Sequence, residues 1–175
     1  SLNLIREILG SGWNSRLYKN IETINNRNDI FFNARSSSNY SGIYMGFECK
    51  YLNLEKTYQS MLFEIENIRK NNITDQELYA AKSDRIGTII MNFEDPIDYT
   101  HYILEDLHGG FTLDQIKQEQ IKYATTSLDK VNKVANKYLD HENFYLIVSG
   151  NKDSTMTFLN QFENVEMIHY LDGFK

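Results

Sequence analysis

Leu54, Tyr58, Met61, Leu62, Ile65 and Ile68 recur at intervals of three and four residues. That spacing puts all six on one stripe of an α-helix. An isolated helix gains little from such a stripe in water, so it must be covered by a second layer of structure. A chain of 175 residues, 41% hydrophobic and 24% charged, can supply that layer and bury a core.

More helices follow on local signals. Asn71-Asn72 ends the first one. Thr74 and Glu77 form a capping box that opens a helix reaching about Phe93. Glu94-Asp95-Pro96 is a break and a restart, because proline suits the first helical position. The restarted helix runs to Leu107 and Gly109-Gly110 terminates it. Thr112 and Gln115 make a second capping box for a helix from Leu113 to about Tyr123. Ser127 caps a helix carrying Leu128, Val131, Val134, Tyr138 and Leu139. At the start of the chain, Leu4, Ile5, Ile8 and Leu9 have helical spacing that stops at Gly10. Asn14 or Ser15 caps a second helix to about Thr23, with Leu17, Tyr18 and Ile21 on one face.

Strand signals fall between and after these helices. Ile30–Ser36 reads as a strand, and Asn39–Gly42 as a turn. Ile43–Lys50 then alternates, with Ile43, Met45, Phe47 and Cys49 on one side. Asn143–Ser149 (NFYLIVS) is almost continuously apolar and reads as a central strand. Ser154–Phe162 reads as a short helix and Val165–Tyr170 as a last strand. There is no linker, repeat or low-complexity tract. The pattern predicts one domain over residues 1–175. Its expected class is α+β, a mostly antiparallel sheet with helices packed on one face.

Charge and cysteine content narrow the function. A net charge of -6 disfavours a phosphate backbone, so no nucleic-acid partner is expected, whereas basic or neutral peptides suit that sign. The single cysteine, Cys49, permits neither an internal disulfide nor a zinc finger. It fits a reducing compartment, and a cytoplasmic location is expected. No apolar run has membrane-spanning length, so no membrane association is expected. The chain opens Ser1-Leu2-Asn3, with neither an initiating Met nor a signal-peptide pattern, so a fragment or a processed chain is expected.

The segment LGSGWNSRLYKN, Leu9–Asn20, is the most unusual local sequence. A phosphate loop needs a preceding strand and a Lys-Ser/Thr pair after its last glycine, and neither is present. A nucleophilic Ser11 or Ser15 would need a strained elbow and a positioned base, and neither is written here. Gly10 and Gly12 instead suit a close helix-helix joint or a positive φ. Trp13 would pack at that joint, and Arg16 is free to meet a carboxylate.

The remaining candidates are weaker. His101, Glu105 and His108 share one helical face, but i and i+7 lie roughly 10 Å apart, too far for one metal to take both imidazoles easily. They read as a solvent- or partner-facing edge. His141 reads as exposed, Cys49 as a buried structural thiol, and Glu55, Glu64 and Glu66 as a solvated face. From residues and spacing alone the chain is an α+β domain without a visible active site.

The order of its segments nevertheless resembles a known family. EILGSGWNSRLYKNI, Glu7–Ile21, is similar to the signature "iLggg.SSRLfqelRe" in the second, non-metal domain of insulinase/pitrilysin-type zinc peptidases, the inverzincins, which include mitochondrial processing peptidase subunits. The stretches Gly42–Asp84, Phe93–Gly110 and Thr125–Asn151 resemble later segments of the same domain, in order. The resemblance spans about Leu4 to Gly150 and centres on Gly10, Gly12, Ser15, Arg16 and Leu17.

The resemblance implies a sheet-and-helix domain that pairs with a homologous zinc-binding domain, in the same chain or in a partner subunit of a homo- or heterodimer. The paired domain carries H-x-x-E-H and a downstream Glu. Those residues bind zinc and activate water for peptide hydrolysis. No such motif occurs in this sequence. The resemblance therefore implies no catalytic residue, no metal and no cofactor in these 175 residues, with zinc in the partner. It also implies that the family's first strand would precede Leu2. Active relatives carry an Arg and a Tyr that reach the peptide substrate. Glu22 occupies the Arg position, Ile30 or Phe31 the Tyr position, and Arg27 is displaced. The resemblance implies an accessory substrate-chamber domain or a non-catalytic partner or scaffold subunit of the same family; the alternative outside the family is an unrelated α+β ligand-binding module.

Overall fold

The computed structural model describes residues 1–11, 14–25, 30–36 and 41–168, with the backbone alone over 22–25 and 30–36 and at Ser41. Helices dominate. In chain order they are α1 (Leu2–Gly10), α2 (Arg16–Asn25), α3 (Leu54–Asn71), α4 (Asp75–Asn92), α5 (Pro96–His108), α6 (Leu113–Lys117), α7 (Glu119–Thr125), α8 (Leu128–Tyr138) and α9 (Lys152–Leu159). Strands β1 (Ile30–Ser36) and β2 (Ser41–Phe47) lie between α2 and α3.

The helix ends obey the local chemistry. Thr74 Oγ1 accepts from Glu77 N, and the Glu77 carboxylate accepts from Thr74 N, closing the capping box of α4. Thr112 and Gln115 repeat it at α6. Ser127 Oγ accepts from Lys130 N at 3.2 Å to start α8. At α5 Pro96 sits in the first turn, and Asp95 Oδ1 accepts from Ile97 N at 2.7 Å. After α5 it is Gly110, at φ 86, that takes the left-handed conformation. The helix expected over Leu113–Tyr123 is broken at Gln118 into α6 and α7.

The core forms around α1. Leu4, Ile5 and Leu9 are fully buried and Ile8 nearly so. Leu17 and Ile21 of α2, Ile65 and Ile68 of α3, Ala81 and Ile89 of α4, and Val131 and Ala135 of α8 join the same apolar cluster. Each large side chain buried there contributes about 1.5–3 kcal/mol relative to an exposed position. The stripe on α3 therefore finds its covering layer in other helices.

This corrects the expected fold class. The chain is mostly helical, and the sheet among the described residues is one two-stranded antiparallel hairpin. In it Ile30 faces Phe47, Phe31 faces Gly46 and Ser36 faces Ser41. Asn143–Ser149 is not a central strand. It leaves a single 3-10 turn, His141–Asn143, and then runs without a ladder. Tyr145 is 98% exposed and Ile147 90% exposed. Continuous apolarity does not make a strand unless a neighbour takes up the backbone N–H and C=O groups. Residues 165–168 likewise form no strand, and His169 and Tyr170 lie outside the described residues.

Candidate functional site

The joint between α1 and α2 is the region the sequence singles out. Gly10 closes α1, and Ser11 turns the chain to extended backbone at φ -109. Ser15 is buried, and its Oγ accepts from Tyr18 N at 3.4 Å, an N-cap contact at the start of α2. Leu17 is buried beside it. Gly12, Trp13 and Arg27 lie outside the described residues. Glu22 is on the backbone of α2, and Ile30 and Phe31 are on β1 opposite the end of β2.

Arg16 fastens this joint to the α3–α4 turn. Its Nε donates to Glu77 Oε1 at 2.6 Å and its Nη2 to Glu77 Oε2 at 2.8 Å, a two-pronged ion pair. Nη2 also donates to the Asn72 carbonyl at 3.1 Å. Asn72 is at φ 64, so the turn presents that carbonyl from a left-handed residue. Burial alone would raise the Glu77 carboxyl. The hydrogen bonds from Arg16 and Thr74 outweigh it and bring the pKa down to about 2. One carboxylate thus caps α4 and anchors α2.

Beside the joint is an open cleft of about 340 Å³. Glu7, Glu77 and Asp84 face it along with Lys19, Gln76 and Ser11. Its described lining contains acceptor groups but no histidine or cysteine.

A second polar cluster lies where α1, α4, α5 and α7 meet. Glu119 accepts hydrogen bonds from the phenols of Tyr102 and of Tyr123, the latter at 2.6 Å. Asn3 Nδ2 donates to the Tyr123 oxygen at 2.7 Å. The Arg85 guanidinium lies 5.4 Å from the centre of the Tyr123 ring and 3.7 Å from Glu119. Burial, reinforced by Glu119, pushes the Tyr123 phenol up to about 12 and Tyr102 higher still. Burial and the Glu119 charge also raise the Asp106 carboxyl. The cluster holds protons tightly and joins four helices. Of its parts, only Tyr102 with Asp106 and Glu119 with Tyr123 sit at i, i+4 in the sequence, so the grouping of four helices was not legible there.

The other sequence candidates are dispersed. His101 and His108 are both exposed on α5. Among the described residues no group of three or more His, Cys, Asp or Glu side chains could hold a metal ion. His141 is half-buried, not exposed, and its Nε2 lies 3.7 Å from Glu66. Glu64 departs from the expected solvated face: it is buried and accepts from Asn20 of α2. Cys49 is half-buried beyond β2, where burial raises its thiol pKa against a hydrogen bond with Thr57.

Comparison with known proteins supplies what the geometry lacks. Residues 1–84 match the family described as the Peptidase M16 inactive domain. Residues 1–84 belong to that family. They contain the α1–α2 joint, the hairpin, α3 and the Arg16–Glu77 pair. No curated protein matches the chain. Two solved structures share its fold. A protease from Helicobacter pylori has a TM-score of 0.65 and 19% identity, over 79% of this chain and 34% of that one. A Bordetella pertussis Tohama I structure, "putative zinc protease", has a TM-score of 0.67 and 20% identity, over 81% of this chain and 79% of that one. The chain spans about a third of the Helicobacter pylori chain.

Proposed function

We propose that this chain is the accessory, non-metal domain of an M16-type zinc peptidase, one wall of the chamber in which a homologous zinc-binding domain cleaves peptides. The observation that carries the reading is the match of residues 1–84 to the M16 inactive domain in a sequence without H-x-x-E-H. The likeness in fold to two bacterial protease structures supports it. The domain contributes shape and an acidic surface, and the metal chemistry belongs to the partner.

A second reading, a non-catalytic partner or scaffold subunit, rests on Glu22. It places a carboxylate where active relatives carry a substrate-contacting Arg. The two readings separate in one assay. The gene product containing these residues is purified with any M16 partner subunit, and hydrolysis of a quenched fluorescent peptide is followed with and without a zinc chelator. Chelator-sensitive cleavage supports the chamber domain. An intact complex with no cleavage of any of a panel of peptides supports the scaffold. Chelator-insensitive cleavage by residues 1–175 alone contradicts both.

A further inference from the structure

Among the described residues no layer covers the outward face of α5. None of the thirteen residues of this helix is buried. Tyr99 and Ile103 turn toward α4 and α6, where they line an apolar cleft with Ile89, Phe93, Leu113 and Ile116. Ile97, His101, Leu104 and His108 recur at i, i+4, i+7 and i+11 on the opposite side. There Ile97 is 67% exposed and Leu104 56% exposed.

Charge around this face has one sign. From Arg85 to Lys117 the sequence contains no other Lys or Arg, while Glu94, Asp95, Asp98, Glu105, Asp106 and Asp114 all fall within it. Asp98 and Glu105, seven residues apart, lie along one edge of the Ile97–Leu104 stripe and are exposed. His101 and His108 alternate with Ile97 and Leu104 along the stripe, and Thr100 and the exposed Leu107 lie on the other edge. This face complements a helix with an apolar face and Lys or Arg along one edge.

We propose that the outer face of α5 is a docking site for a basic amphipathic helix of a partner protein. Ile97 and Leu104 meet the apolar face of that helix, and Asp98 and Glu105 meet its cations. The inference is independent of the peptidase reading, because the site lies on α5, outside residues 1–84.

The probe is a fluorescein-labelled, Lys/Leu-patterned helical peptide, with a control of identical composition scrambled to abolish the apolar face. Anisotropy is read against the 175-residue chain. The proposal expects saturable binding of the patterned peptide alone. Ile97→Ser with Leu104→Ser should weaken it about tenfold. Asp98→Asn with Glu105→Gln should weaken it about threefold and flatten its salt dependence. Both pairs are exposed, so circular dichroism should show unchanged folding. Equal binding of both peptides, or binding indifferent to Ile97→Ser with Leu104→Ser, overturns the proposal. So does a dimer in sedimentation that this variant abolishes, since the occupant would then be a second copy.

Discussion

Two carboxylates do most of the polar positioning. Glu77 has its pKa lowered from an ordinary carboxylate value to about 2, because burial is outweighed by Arg16 and Thr74. A depressed pKa stabilises the fold above the unfolded value, and that stability drains away as pH falls from about 5 toward 2. Glu77→Gln should flatten the acid limb of stability in that window, as read by urea unfolding at a series of pH values. Arg16→Ala should cost about 1–2 kcal/mol, at the low end for a charged hydrogen bond because the pair is partly exposed. Glu119 works at the other pH extreme. Tyr123 is raised to about 12 by burial and by Glu119, so its contribution is intact below pH 10 and is lost as pH rises toward 12. Ultraviolet titration should show a late phenol step to which both Tyr102 and Tyr123 contribute, and Tyr123→Phe should shrink it by one group and leave the Tyr102 part.

Helix signals were the legible part of the sequence. Caps and stripes are local, and Thr74, Thr112, Ser127 and the α3 stripe sit where their neighbours in sequence put them. Thr74→Ala should lower stability by about 1 kcal/mol in denaturant melts, the usual cost of losing such a cap. Strands depend on partners far along the chain. Alternation in Ile43–Phe47 was readable because a second strand signal stands just before it in the sequence, and β1 and β2 do pair; of the expected Asn39–Gly42 turn, Asn39 and Tyr40 lie outside the described residues and Ser41 and Gly42 belong to β2. NFYLIVS carries only its own apolarity, which says nothing about a neighbouring strand, and the expected sheet fails there. The break at Gln118 was hidden for a related reason: both flanking turns have good helix formers.

At the scale of the molecule, α1 is the helix around which the others collect. Leu9→Ala should cost about 2–5 kcal/mol in thermal or denaturant unfolding, since several elements share the cavity it would leave. The candidate site was legible at this scale only as an ordered series of segments. Arg16 and Ser15 were visible, but Glu77, 61 residues from Arg16, is brought to it by the fold. The cluster at Glu119 draws on four helices and leaves no motif. The proposed role as a chamber domain requires that these residues hold no catalytic metal. Zinc stoichiometry of the purified 175-residue chain, measured by elemental analysis alongside a peptide-cleavage assay, tests this most directly. The account predicts no stoichiometric zinc and no cleavage; one tightly held zinc per chain, lost on His101→Ala or His108→Ala, would contradict it.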